Sequence, residues 1–483
     1  MKLIANGWYD INTFLRGHLM QTIVTTLREF LWGPVMLLLL LGTGLYLSIK
    51  TNFLCFVNLP KALKSFFSKE SLNEQGDGDI SPFASLCAEL AATIGTGNIA
   101  GVASALLVGG PGAIVWMWLS AALGLTTKFA ECMLAFKYRI TNDKNEKLGG
   151  PMLTMELGLK EKYGDKGKRC GKVMAMSFAI FTMLATLGVG ALTQGNSICI
   201  ATDTFFDGPS SNVLVGIILA VLSFVIISYG IKGISRVSMV IVPIMAIIYF
   251  LGSLGIVVSN YQNIPLVLKD IFTLAFSFKA ISGGLTGSFV YSFSRALSNG
   301  LARGCFSNEA GMGSSAIGAA ASVGDNPVQV GYNFETSVFW DTFVVCSATA
   351  FAILTSGALA YSSGLDKEIE GVDLVRYAFS SSYGSFGAAF VAFAIILFAF
   401  STIVSWEFHG EKALEYLSDS KKAIKAYRFL YATIVFVGCI STASMAWEVT
   451  DIFNALMIIP NTLSLLLLSD VIRKEVLEYQ KRK

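Results

Sequence analysis

The feature that most constrains this sequence is a series of eleven apolar stretches, each long enough to cross a bilayer as an α-helix. Hydrophobic residues make up 54% of the 483 residues and charged residues only 14%, a composition typical of polytopic membrane proteins. The predicted spans lie at about 31–49, 82–108, 113–136, 173–200, 212–231, 236–258, 280–302, 333–358, 386–408, 428–446 and 450–470. The sequence therefore predicts one all-α membrane domain over residues 1–483.

Basic residues predict the orientation of these spans. With the N-terminus outside and the C-terminus in the cytoplasm, most of the 36 Lys and Arg residues fall in cytoplasmic loops, above all in 137–172. This distribution agrees with the positive-inside rule and with an odd number of spans. We therefore expect a multi-pass plasma-membrane protein surrounded by lipid, and the sequence leaves its oligomeric state open.

Composition argues against several other classes of protein. The net charge of +3 does not indicate a nucleic-acid partner, because the basic residues lie in loops. Two His residues and eight Cys residues without a CxxC pair support neither a metal centre nor a disulfide framework. An intramembrane enzyme would need a nucleophile with its base, and a channel would need a symmetric ring of subunits. We expect neither of these.

Ten spans follow the first one, and they divide into two groups of five at 82–258 and 280–470. Because five is odd, the second group must enter the membrane from the opposite side. This is the inverted-topology repeat of many secondary transporters, in which each half begins with an interrupted helix and ligands bind between the halves. The span at 31–49 is then an additional N-terminal helix.

The span at 82–108 is interrupted by the sequence Gly95–Asn98. Two glycines disfavour a continuous helix, and an unwound turn in a membrane must face protein or a polar cavity. Amide groups near Thr96 and Gly97 would suit a carboxylate, and carbonyls near Ala91 and Ile94 would suit a bare cation. The alternative is that both glycines only allow close helix packing.

A second glycine-rich stretch, 282–288, lies at the corresponding position of the second half. Paired interruptions are the best sequence indication of a binding site at the middle of the membrane, so we expect Gly283 and Gly284 to contribute to substrate binding. The alternative, that these are packing glycines, is equally compatible with the sequence.

Polar side chains inside other spans are further candidates. Gln194 lies in an apolar run, and because an unpaired buried amide is costly, it must bind another helix or a substrate. Ser401 and Ser405 share a helix face beside Thr402, and hydroxyl oxygens suit sodium. Hydroxyls that only bond their own helix are the alternative.

Ionisable residues within spans are functional candidates by default, although those near helix ends often have a structural role. Asp341 and Asp451 are predicted to lie deepest, whereas Glu89 has no evident role. Lys128 and Glu131 are three residues apart and would neutralise each other. The small-residue-rich segment 303–333 is predicted to be cytoplasmic, either as an internal gate or re-entrant segment or as an ordinary tight loop.

Four stretches resemble signatures of the alanine or glycine:cation symporter family, and the resemblance extends over about residues 25–475. These stretches are Ala92–Gly101, Arg303–Ser314, Phe400–Thr402 and Asp451–Asn461. The resemblance implies symport of alanine, glycine or both with Na⁺ as the coupling ion, by alternating access. Another small amino acid or coupling to protons is the alternative. It also implies the five-plus-five inverted-repeat fold of bacterial leucine transporters, with eleven transmembrane helices including the N-terminal one.

The resemblance also implies roles for individual residues. The amides of Thr96 and Gly97 would hold the substrate carboxylate, and Gln194 would contact the substrate. Asn98 would serve either the ion or the substrate. The sodium ligands would be the carbonyls of Ala91 and Ile94 together with the hydroxyls of Ser401 and Thr402.

Overall fold

The computed structural model describes residues 21–73, 75–143, 145–206, 208–276, 287–362, 371–441 and 444–482, and they are almost entirely helical. Residues 21–31 are helical and lead into the first helix in the list. The α-helices are α1 Pro34–Lys50, α2 Leu54–Phe66, α3 Pro82–Thr93, α4 Ala100–Gly109, α5 Ala113–Lys137, α6 Pro151–Leu153, α7 Leu159–Ala185, α8 Thr193–Thr202, α9 Pro209–Ser228, α10 Gly230–Ser259 and α11 Ile264–Phe276. They continue as α12 Gly287–Asn308, α13 Ser314–Ala321, α14 Pro327–Val338, α15 Ser347–Thr355, α16 Ala358–Ser362, α17 Gly371–Tyr383, α18 Ser385–Leu417, α19 Lys421–Ile440, α20 Ser444–Leu467 and α21 Ser469–Lys481.

Short irregular elements connect these helices. The 3₁₀ turns are Lys69–Leu72, Thr96–Asn98 and Tyr261–Asn263. The π-helical segments are Thr154–Gly158, Thr186–Leu192 and Phe339–Cys346. Strands β1 Ile140–Thr141 and β2 Lys147–Leu148 pair antiparallel. Single π-helical turns inside α-helices often mark functional sites, and two of these segments lead to or contain candidate residues.

Within the described residues, nine helices are long and apolar enough to cross a membrane, and one bent helix pair raises the number to ten. These ten correspond to ten of the eleven predicted spans. The remaining prediction, about 280–302, begins among residues outside the described ranges, and α12 covers its later part. The number eleven therefore stays a prediction, as do the boundaries of the two repeats.

The first interruption lies where the glycines predict it. Pro82 opens α3, and the Ser81 hydroxyl caps it by accepting the Ala84 N–H at 3.3 Å. The helix ends before Ile94, which is extended at φ −78° and ψ 91°. After the 3₁₀ turn Thr96–Asn98 the chain continues as α4, and the two parts are bent by 60°.

A second interruption lies between α12 and α13, at residues 309–313. Glu309, Gly311 and Gly313 have φ of 57°, 94° and 80°, and all of α13 is buried. Its backbone is supported by side chains: Asn308 accepts the Ala310 N–H at 3.0 Å, and Asn461 donates to the Gly311 carbonyl at 2.9 Å. Unwound backbone at membrane depth needs such partners.

This second interruption corrects the prediction for 303–333. The segment is not an ordinary tight loop, because its first part completes α12 and the following part forms a buried break and half-helix. The re-entrant alternative describes it better. The predicted interruption at 282–288, with Gly283 and Gly284, lies largely outside the described residues and is not described further.

The ends of the two half-helices α3 and α13 are joined. Residues Ile80 and Ser322 form a parallel bridge, the Val323 N–H donates to the Ile80 carbonyl at 2.8 Å, and Arg139 donates to the Ala320 carbonyl at 2.8 Å. Helices α5, α14 and α18 surround this pair. In contrast, α9 is apolar and mostly exposed, as expected for a helix that faces lipid.

The segment 137–172 is more helical than predicted. The structure continues the fourth predicted span back to Pro151, so that helical residues run to Thr202. A helix of 52 residues exceeds the thickness of a bilayer, and it is kinked at Gly164, where φ is 66°. The basic first part of α7 therefore extends beyond the hydrocarbon region.

Candidate functional site

The candidate site begins with the broken turn at Gly95–Asn98. The Asn98 side-chain oxygen accepts the Gly95 N–H at 2.9 Å, and the Asn98 N–H donates to the Gly95 carbonyl at 3.2 Å. A Cβ added at Gly95 would lie 2.8 Å from the Thr402 hydroxyl, whereas one at Gly97 would meet only Phe306 at 4.0 Å. The absence of a side chain at Gly95 thus permits the close approach of the Thr402 hydroxyl, and Gly97 leaves open space beside the backbone.

A group of oxygen atoms lies between α3 and α18. The Thr402 hydroxyl donates to the carbonyls of Ala91 at 3.1 Å and Phe398 at 3.0 Å. The Ser401 hydroxyl also donates to the Phe398 carbonyl, at 2.9 Å. Both hydroxyl side chains are 2% exposed. The structure therefore brings three of the four predicted cation ligands together, and Ile94 terminates the helix beside them.

The Phe398 carbonyl is a candidate ligand that the sequence analysis did not include. A threonine inside a helix commonly bonds the carbonyl four residues earlier, which for Thr402 is that of Phe398. The spacing alone could have indicated it. Together with Ala91 and the two hydroxyls, it gives four neutral oxygens in one buried place, which are hard ligands suited to sodium.

Gln194 lies on α8, directly after the π-helical segment Thr186–Leu192, and reaches the broken turn. Its side-chain oxygen accepts the Thr96 hydroxyl at 3.3 Å, and both side chains are buried. The partner that a buried amide requires is thus the interrupted helix itself. This contact places two predicted substrate residues, Thr96 and Gln194, beside each other.

Asp341 joins the first interruption to the end of α12. One carboxylate oxygen accepts the Asn98 amide at 2.6 Å and the Ser307 hydroxyl at 3.0 Å, and the other accepts the Thr342 hydroxyl at 2.7 Å. Asp341 is fully buried. Among the described residues no Lys or Arg forms an ion pair with it. Its carboxyl oxygens therefore accept hydrogen bonds from neutral donors only.

The sequence predicts Asp341 to be a deep ionisable residue but indicates no role for it. Its position in the π-helical segment Phe339–Cys346 could not be read from the apolar pattern. Phe306 and Ser307, at the end of α12 directly before the second interruption, were given no role either, because the sequence prediction concentrated on the glycine-rich stretch 282–288. Their signal was the polar sequence Ser307–Glu309 directly after a long helical run.

The model of the sodium:alanine symporter family matches residues 17–483. The chain belongs to this family. It is 40% identical over 454 residues to the sodium/alanine symporter AgcS of Methanococcus maripaludis, covering 94% of this chain and 96% of that protein. It is 33% identical to the probable sodium/glutamine symporter GlnT of Bacillus subtilis, covering 96% and 92%.

Solved structures share the fold of this symporter family member. The crystal structure of MhsT in complex with L-phenylalanine matches with a TM-score of 0.53 at 13% identity, covering 82% of this chain and 88% of that one. A manganese transporter mutant of Eremococcus coleocola matches with a TM-score of 0.51 at 13% identity, covering 77% and 74%. These two structures show the all-α fold alone. Membership of the sodium:alanine symporter family makes the protein a membrane transporter and not an enzyme.

Proposed function

We propose that this protein carries a small neutral amino acid, alanine or glycine, into the cell together with sodium, by alternating access. The observation that supports the proposal is that the candidate cation site and the candidate substrate site lie at the same interrupted helix. Oxygens suited to sodium surround Thr402 at the end of α3, and free backbone space at Gly97 follows three residues after Ile94. A single amino acid and its coupling ion would thus bind to the same interrupted helix.

The substrate carboxylate would bind the amides of Thr96 and Gly97. These amides lie at the start of the second half of the broken helix, where unpaired N–H groups and the helix dipole favour an anion. Gln194 beside Thr96 would contact the substrate or orient the Thr96 hydroxyl. The Phe306 ring near Gly97 bounds the space on the other side, which favours a small side chain.

Sodium would bind the carbonyls of Ala91, Ile94 and Phe398 and the hydroxyls of Ser401 and Thr402. In the structure each of these hydroxyls donates its proton to a carbonyl. An ion between them would instead receive lone pairs from all these oxygens at once. Neutral oxygens do not repel one another strongly when sodium is absent, so the site can bind and release its ion.

Asp341 would supply the negative charge that these neutral oxygens lack. Because it contacts Asn98 in the first interruption and Ser307 beside the second, a positive charge nearby would stabilise both helices in one arrangement. That charge would be either the substrate ammonium group or a second cation, and Asn98 would serve whichever of the two binds there. Sodium-dependent closure of both broken helices is what alternating access requires.

Counterflow in proteoliposomes tests the proposal. Vesicles loaded with unlabelled alanine should accumulate labelled alanine in sodium and not in potassium, with inhibition by glycine and none by leucine. Glutamine belongs in the same series, because one relative is named a probable sodium/glutamine symporter. Equal exchange without sodium, or exchange driven only by a pH gradient, would contradict sodium coupling.

A further inference from the structure

A buried charged cluster borders the candidate sodium site, and the proposed function does not use it. We call it the Glu89 cluster. Its ionisable members are Glu89 on α3, Lys128, Glu131 and Cys132 on α5, Glu309 in the second interruption, and His409 on α18, and the Asp341 carboxyl group faces Glu309 from the neighbouring π-helical segment. All of them are buried. They come from four elements of the described chain.

Glu89 and Lys128 form the central ion pair. Lys128 Nζ lies 2.9 Å from Glu89 Oε1, both side chains are fully buried, and the Ser315 hydroxyl binds both groups. The expected direct pair of Lys128 with Glu131 is therefore not formed: Glu131 accepts the amide of Asn461, and Lys128 attracts it only at longer range. The second Glu89 oxygen has no hydrogen-bond partner.

The cluster contains more carboxyl groups than cations. Three carboxyls, those of Glu89, Glu131 and Glu309, share the single ammonium group of Lys128, and no other Lys or Arg of the described residues forms an ion pair with them. Removing an uncompensated carboxylate from water is costly, so such groups take up a proton. The buried cluster therefore needs a positive charge besides Lys128.

Among the three carboxyl groups, Glu309 has hydrogen-bond partners that suit a bound proton. The Trp406 indole N–H donates to one of its oxygens at 3.1 Å, and the Ser314 hydroxyl binds the other. A hydroxyl can donate to a carboxylate or accept from a carboxylic acid, so both protonation states of Glu309 keep two hydrogen bonds. Glu131 is bound instead by the side-chain N–H of Asn461, and an N–H donor cannot accept a hydrogen bond from a protonated carboxyl group.

The Glu89 cluster lies close enough to the Thr402 site for its charges to interact with a sodium ion bound there. Trp406 follows Thr402 by one helical turn on α18, and Glu89 precedes Ala91 by two residues on α3. Charges buried at this separation are poorly screened. A sodium ion at Thr402 would supply the positive charge that the carboxyls need, and the proton on Glu309 would then be released.

We infer that Glu309 is a proton-binding site that is linked to sodium binding, so that sodium entry at the Thr402 site releases this proton to solvent. The inference rests on the proposed sodium site. Linkage then requires that sodium bind more tightly as the pH rises, by up to about tenfold per pH unit for one proton released per ion. Glu309→Gln mimics the protonated form and should remove this dependence.

Thermal stabilisation by sodium, measured on purified protein from mildly acidic to mildly alkaline pH, tests the linkage. The sodium concentration at half-maximal stabilisation should fall with rising pH in the parent protein. In Glu309→Gln it should stay at the high value seen at acidic pH. Glu475→Gln is a matched control, because it removes a carboxylate that is paired with Lys137 on α5 far from the site.

The outcomes separate the two proposals. Stabilisation with a midpoint that does not change with pH overturns the proton site and leaves the sodium site standing, whereas no sodium effect at any pH overturns both. A Glu309→Gln protein that keeps the parental pH dependence also overturns the assignment. If this variant does not fold, proton release upon sodium addition can be recorded on the parent protein with a pH indicator. Release of about one proton per bound ion supports the site, and no release overturns it.

Discussion

Replacing Thr402 by valine tests the sodium site most locally. Valine has nearly the shape of threonine, so the change removes the hydroxyl that bonds the Ala91 and Phe398 carbonyls without opening a cavity. Loss of one ligand from a buried ion leaves its charge less compensated, at a cost of about 1–3 kcal/mol. This corresponds to a roughly tenfold to hundredfold loss of sodium affinity.

The assay is alanine uptake as a function of sodium concentration, together with sodium-dependent melting of the same preparation. We expect the sodium curve of Thr402→Val to move to much higher concentration, while alanine affinity at saturating sodium changes far less. Thr433→Val is the control, because the Thr433 hydroxyl makes the same bond to the carbonyl four residues earlier on an exposed helix face. Parental sodium curves in both Thr402→Val and Ser401→Ala would refute the assignment.

Three further changes probe other parts of the account. Gln194→Leu should weaken alanine binding while the protein still melts cooperatively, whereas a purely structural amide would lower the melting temperature and leave the affinity of the folded protein unchanged. Gly97→Ala should fold, because the new Cβ meets only Phe306 at 4.0 Å, but should lose alanine binding; parental affinity would place the carboxylate elsewhere. Lys162 and Lys50 lower the pKa of exposed Asp470 to about 2. The stabilising contribution of Asp470 is therefore fully present above the ordinary aspartate pKa and is lost as the pH falls below that pKa to about 2. Asp470→Asn should therefore cause a small loss of stability at neutral pH that disappears in acid, and an equal loss at both would contradict the ion-pair explanation.

The first interruption was predictable because its signal is local. Two glycines, with Thr96 between them and Asn98 after them, stand in an otherwise apolar span, and the chain unwinds at Gly95–Asn98 as these residues predict. The clustering of Ser401 and Thr402 was likewise visible as hydroxyls in one apolar run. Both features depend on residues within one or two helical turns.

The interruption at 309–313 is harder to predict because its support comes from distant residues. The polar run Ser307–Glu309 is typical of a loop when it is considered alone. In the structure it is buried, and residues of other elements satisfy its polar groups: the Trp406 indole donates to Glu309, and the Asp341 carboxylate accepts from Ser307. Lys128 illustrates the same point, because its partner Glu89 is 39 residues away in the sequence and not on its own helix.

The central claim, that sodium and alanine move together, is tested most directly by imposing a sodium gradient across proteoliposomes that contain the purified protein. With sodium outside and none inside, labelled alanine should rise above its external concentration and then leave when the gradient is dissipated. Thr402→Val should require much more sodium for the same accumulation. Alanine that only equilibrates across the membrane, whatever the sodium gradient, would contradict the account.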